Sequence, residues 1–185
     1  MKYYEKIPGK RIYLSPMNPD DVDKYTKWIN DLEISLYLNF GNQVFSREKE
    51  KEALEELSRQ GHNFAIVERE YDNLIGNCSL MDVDQTHSSA ELGIFIGNKD
   101  YWNKGYGHEA VTLLLDYGFS LLNLENIMLR VHSFNKRAIN CYKKCGFKEM
   151  GRRRNSYLID GEKYDDIFMD IVAEEFTGDI ADIIE

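Results

Sequence analysis

Seven consecutive residues, Trp102, Asn103, Lys104, Gly105, Tyr106, Gly107 and His108, follow a strand-like stretch and open a helical one. Two glycines let the backbone approach a ligand, and the first N–H groups of a helix have no partner of their own. Such a turn suits phosphate: an anion at a helix start gains roughly 0.3 to 1 kcal/mol from the dipole, and Lys104 offers a charge-assisted donor. A second constellation is Asn135-x-x-Ala138-x-x-x-Tyr142, followed by Gly146-Phe147. On a helix it sets an amide, a small residue and a phenol along one face, at i, i+3 and i+7, with room for a ligand. Gly105, Gly107 and Ala110 also fit the G-x-G-x-x-A spacing of dinucleotide sites. That fold wants an acid at the end of the next strand, which here ends His132-Ser133-Phe134-Asn135, and roughly 50 residues are too few for its repeated strand-helix units.

The elements that must position these residues are legible from pattern. Arg11 to Leu14 reads as a short strand, and Asn18-Pro19-Asp20-Asp21 as a helix start with a cap, a first-turn proline and first-turn acids. Ser46 opens a second, highly charged helix expected to bury Ala53, Leu54 and Leu57. Residues 63–70 and 74–83 read as a hairpin, and 88–97 as a further strand. A helix from Gly105 places Ala110, Val111, Leu114, Tyr117, Gly118, Leu121 and Leu122 on one side, and 125–132 follows as a strand with Ile127, Leu129 and Val131 alternating. Strand, helix and strand in about 45 residues make a crossover unit with parallel strands. A helix over 135–145 stops at Gly146, and strands 147–158 and 164–172 form a last hairpin around Asp160-Gly161. The expectation is one α/β domain over 1–173, with a mixed, mostly antiparallel sheet, one central parallel crossover and flanking helices; 174–185 reads as an acidic tail.

Composition narrows the function classes. Of 185 residues, 43% are apolar and 30% charged, as in a globular chain. The net charge of -9 repels a nucleic-acid partner at long range, and the imbalance lies in 160–185, where ten acids face Lys163 alone. In 136–154 the sign reverses: eight bases, Lys136, Arg137 and Lys144 among them, face one acid, Glu149, which suits an anionic small molecule. Neither a membrane-length apolar run nor a secretory leader is visible, so a cytoplasmic chain is expected. Cys78, Cys141 and Cys145 read as free thiols, and the four histidines stand singly, so no metal site is expected.

Taken in order, a strand carrying Glu91, a Gly-x-Gly helix start and an Asn-x-x-Ala-x-x-x-Tyr-x-x-x-Gly-Phe helix resemble the GNAT acyl-CoA N-acyltransferase superfamily. The resemblance covers nearly the whole chain, and the run from Trp102 looks most like the branch of ribosomal-protein N-terminal and spermidine acetyltransferases. That family usually carries Arg or Gln where this chain has Trp102, and often Gly in place of Asn103; both departures touch side chains where the family mainly uses backbone N–H groups. The resemblance implies an enzyme with acetyl-CoA as co-substrate. Residues 102–108 would hold its pyrophosphate, Phe95, Ile96 and Gly97 would pair with its pantetheine arm, and Asn135 would be a further contact. Tyr142 would sit beside the thioester sulfur and Glu91 would serve as the base. Arg137, with Lys136 and Lys144, is a candidate for the 3'-phosphate.

Proton accounting fits those roles. A primary amine with a pKa near 10.4 is about 0.1% neutral near pH 7.4, a cost of roughly 4 kcal/mol unless a base such as Glu91 takes its proton. The departing thiolate needs a proton, which Tyr142 supplies, and backbone N–H groups near Ile96 stabilise the developing oxyanion. The expected reaction moves an acetyl group directly from acetyl-CoA to a primary amine, of a peptide N-terminus or a small molecule. Two other classes stay open: a non-catalytic acyl-CoA-binding module and a nucleotide-binding oxidoreductase. Loops 37–43 and 157–161 are expected to select the acceptor, and a homodimer is left open.

Overall fold

The computed structural model describes residues 2–38 and 40–178. Its strands are β1 (Ile7–Pro8), β2 (Ile12–Pro16), β3 (Asn63–Glu68), β4 (Asn73–Asp84), β5 (Ser89–Ile96), β6 (Asn126–His132), β7 (Lys148–Ile159) and β8 (Glu162–Val172). The helices are α1 (Val22–Ile29), α2 (Leu32–Ser35), α3 (Arg47–Arg59), α4 (Tyr106–Asp116) and α5 (Lys136–Lys144). Hydrogen bonding orders the strands β1-β2-β3-β4-β5-β6-β8-β7. The expected crossover is present: β5 pairs β6 in parallel through Ser89↔Asn126, Ala90↔Ile127 and Glu91↔Met128, with α4 between them in sequence. The β3/β4 and β7/β8 hairpins are antiparallel, the latter turning through Asp160 and Gly161, both at positive φ.

The contacts divide the chain into two compact units. The first holds residues up to Ser79 and Ile94–Ala110, the second Leu80–Gly93 and the residues from Val111 onward. In the first, α1 and α3 bury Val22, Tyr25, Trp28 and Leu54 with Tyr13 and Val67 of the strands. Tyr25, Trp28 and Phe95 meet edge to face at 5.3 to 6.2 Å. The caps act as expected: Asn18 accepts from the Asp20 N–H and Ser46 from the Lys49 N–H. Ala53 is exposed, contrary to expectation, and α3 buries Glu50 instead, whose carboxyl burial pushes up to about 7.

In the second unit, β6 and β8 pair antiparallel over seven residues. Directly paired residues share a face of a sheet. One face is apolar and buried, with Ala90, Leu92, Ile127, Leu129, Val131, Ile167, Met169 and Ile171. The other carries Glu91, Met128, Arg130, His132, Asp166, Phe168 and Asp170. The helix after β5 does not keep its period: a π turn at Tyr117–Leu121, closed by Leu122 N–H to Tyr117 O at 3.2 Å, shifts the register and leaves Leu121 exposed where burial was expected. The boundary expected after 173 falls within a 3-10 turn, Ala173–Glu175; Glu175 pairs with Lys148, and the Phe176 ring lies 5.5 Å from that of Phe119. The rest of the expected tail, 179–185, lies outside the described residues, as does Asn39 of the 37–43 loop.

Candidate active site

The 102–108 run, expected to bind phosphate, folds as a turn into α4. Asn103 and Gly105 both take left-handed backbone, φ 58° and 85°, a conformation that asparagine and glycine tolerate best. The Tyr106 and Gly107 amides at the start of α4 have no acceptor among the described residues, and His108 and Lys104 are exposed beside them. Gly107 is decisive. Its φ is not positive, and a Cβ there would meet only Ile96 Cγ1, at 3.9 Å, so neither backbone nor packing requires glycine.

Arg11 braces this loop. Its guanidinium donates to Lys104 O at 2.8 Å and to Glu109 Oε2 at 2.9 Å, while its own N–H reaches Glu109 Oε1 at 2.7 Å. The same group lies 4.5 Å from the Tyr106 ring centroid, and Tyr106 meets Tyr101 edge to face at 5.0 Å. Sequence reading missed Arg11, which stands 93 positions from Lys104. Trp102 is a strut as well, its indole N–H donating to Ile96 O at 2.7 Å. A cleft of about 650 Å³ adjoins the loop, lined by Lys24, Lys27, Trp28, Tyr101, Lys104 and Tyr106, with Asp100 its one acid.

The other expected cofactor contacts in this unit are narrowed by their neighbours. The Phe95 ring packs on Tyr25 and Trp28, so its backbone alone is available. Gly97 gives its N–H to Ile75 O at 2.8 Å, and a Cβ there would fall 2.2 Å from Trp28 Cδ2, so this glycine is explained by the close approach of the indole.

In the second unit Asn135 caps α5, its side-chain oxygen accepting from the Ala138 N–H at 3.1 Å, which leaves its amide NH2 for other partners. Arg137 is exposed on the first turn of the same helix. Tyr142 is 8% exposed and meets Phe147 edge to face at 5.9 Å. Burial, with smaller contributions from Cys141 and Cys145, holds its phenol well above its ordinary range, so it stays protonated and able to donate. Glu91 is half-buried on β5, and no hydrogen bond or ion pair engages its carboxylate among the described residues. The basic run of 136–154 is partly neutralised: Lys148 pairs with Glu175, and Arg152 with Glu149 and Asp165.

One arrangement in this unit was not foreseen. His132 Nδ1 lies 2.8 Å from Asp166 Oδ1, and the imidazole stacks on Phe134 at 5.1 Å and on Tyr157 at 4.2 Å, two rings whose own centroids are 5.9 Å apart. Its only sequence signal was a histidine at the end of a crossover strand.

The topology excludes the dinucleotide alternative, because β6 is flanked by antiparallel β8 where a doubly wound fold needs further parallel strands. Residues 11–148 match the family described as the acetyltransferase (GNAT) domain. The chain belongs to the GNAT acetyltransferase family. As a GNAT member it is an acyl-CoA N-acyltransferase that draws its acetyl group from acetyl-CoA. It is similar to the uncharacterized N-acetyltransferase p20 of Bacillus licheniformis, 29% identical over 178 residues, which are 94% of this chain and 99% of that one. A spermidine N(1)-acetyltransferase of Vibrio cholerae is 36% identical over 102 residues, 55% of this chain and 58% of that enzyme. The crystal structure of the Vibrio cholerae spermidine N-acetyltransferase in complex with CoA and spermine matches with a TM-score of 0.80 at 26% identity, covering 89% of this chain and 97% of that one. The GNAT fold and co-substrate implied by the sequence are therefore met.

Proposed function

We propose that this GNAT enzyme acetylates a small-molecule primary amine, with the α4 amides and Lys104 binding the pyrophosphate of acetyl-CoA. The observation that carries the phosphate assignment is Gly107, whose missing side chain serves approach to the α4 amides rather than packing. The lysine-rich cleft beside Lys104 supports an anion in that unit. The backbone of Phe95 and Ile96 pairs with the pantetheine arm, and Asn135 and Arg137 add polar contacts to the cofactor.

Tyr142 is the proton donor to the departing thiolate, because burial keeps its phenol protonated. Glu91, with no competing partner among the described residues, takes a proton from the entering ammonium through a water. A small amine rather than a peptide is favoured by the relatives named for spermidine and by the structure solved with CoA and spermine.

Two measurements test this reading. Acetyl-CoA at 100 times its Kd stabilises the protein by about 2.7 kcal/mol in a thermal shift, while NAD gives no shift. Release of free CoA thiol is then followed with spermidine and with a serine-initiated peptide. Turnover with spermidine above that with the peptide is expected; peptide turnover alone would move the acceptor to polypeptide termini.

A further inference from the structure

His132 is a buried histidine with one nitrogen spoken for and one not. It ends β6, four residues past Met128, the last residue of that strand paired with β5. Its side chain is 4% exposed, Nδ1 is paired with Asp166, and Nε2 has no hydrogen-bond partner among the described residues. Because Asp166 can only accept when ionised, Nδ1 carries the proton and Nε2 the lone pair. Ser156 Oγ, in the residue next to the stacked Tyr157, is likewise buried without a partner among the described residues. With Nδ1 held by Asp166, Nε2 is placed to accept a hydrogen bond from a donor brought by a ligand.

The reaction needs such an acceptor. An amine that enters as an ammonium ion loses two protons on becoming an amide, and a single carboxylate accounts for one. Glu91 and His132 lie on the same face of the β5/β6/β8 sheet, opposite the apolar core. Building on the acetyl-transfer reading, we infer that His132, oriented by Asp166, is the second proton acceptor of the reaction and contacts the acceptor amine through Nε2.

The ammonium gives its first proton to Glu91 through a water. As the C–N bond forms and the C–S bond breaks, the nitrogen gives its second proton to His132 Nε2, and the Tyr142 phenol protonates the leaving sulfur. Proton exchange with water restores the side chains, and the balance is one proton released per acetyl transferred. Burial lowers the pKa of the imidazole, and Arg130 on the same strand adds to this, while Asp166 on β8 opposes it. Arg153 of β7 faces Asp166 in the register. The rings of Phe134 and Tyr157 stack on the imidazole, and Tyr157 is half-buried on the edge strand β7.

The test compares wild type with His132→Gln, using spermidine and the serine-initiated peptide as acceptors. For whichever amine the wild type acetylates, kcat/KM falls about 10²-fold at pH 7 and the limb of the pH profile that belongs to His132 disappears, while acetyl-CoA affinity stays within twofold. A kcat/KM within threefold of wild type, with the same pH profile, would overturn the assignment. Should the variant fail to fold, ¹⁵N-histidine spectra of the wild type decide: the account requires a neutral ring at pH 7 with its proton on Nδ1, and an imidazolium or an Nε2–H tautomer refutes it. The same spectra serve if the wild type acetylates neither amine, an outcome that counts against the acceptor proposal and leaves the ring state to decide the role of His132.

Discussion

In the 102–108 loop the groups proposed to meet a ligand are backbone amides, and side chains such as Arg11 and Trp102 serve as props through hydrogen bonds to Lys104 O and Ile96 O. On the polar face of β6 and β8 the reverse holds. There the backbone is spent on strand pairing, and the reactive groups are side chains, His132 and Asp166, brought together by register across 34 positions of sequence. A contiguous run can be read as a motif because its neighbours in sequence are its neighbours in space. A cross-strand pair becomes visible only when the order β6-β8-β7 is known.

The contrast can be strained by removing side-chain chemistry while keeping shape. Tyr142→Phe retains the edge-to-face contact with Phe147 and deletes only the hydroxyl. It is expected to lower kcat by ~10- to 10³-fold with acetyl-CoA affinity unchanged, and steady-state kinetics beside calorimetry check both halves. Unchanged turnover would remove the proton-donor role. A smaller effect sharpens the other side of the comparison. Arg11→Met removes the prop from Lys104 O and the contact with Glu109, leaving every residue of the loop itself intact. Acetyl-CoA binding should weaken about fivefold, about 1 kcal/mol or the net size of one ordinary hydrogen bond, with kcat for bound substrate little changed. Equal affinity would show that the loop holds its shape alone.

Much of the fold was legible because it rests on local signals. The Asn18 and Ser46 caps, the left-handed Gly146 stop and the Asp160-Gly161 turn are each fixed by the chemistry of one or two residues. The parallel β5/β6 pair followed from a strand-helix-strand length and the handedness of crossovers. The failures came from competition at longer range. The π turn after α4 broke a helical period that pattern alone would extend through Leu121. In α3 Leu54 and Leu57 face the core as expected, but the apolar Ala53 faces solvent and Glu50 shares the inner face with them, a placement that polarity alone does not give.

The same division runs through the site. Gly105, Gly107 and Tyr142 stand within short runs whose spacing has a physical meaning. Arg11 and the His132–Asp166 pair do not, since each depends on a contact between distant segments. Gly97 illustrates a third case: it belongs to the expected cofactor strand, yet its lack of a side chain is accounted for by Trp28.

The central claim is that the α4 amides hold the diphosphate of acetyl-CoA, and Gly107→Asp tests it most directly. An acid in the first turn of α4 favours the helix by roughly 0.3 to 1 kcal/mol, so the fold is retained while bulk and negative charge are set where phosphate is to bind. Isothermal calorimetry with acetyl-CoA should give a Kd at least about tenfold weaker than wild type, a loss of about 1.4 kcal/mol. An equal Kd would contradict the account.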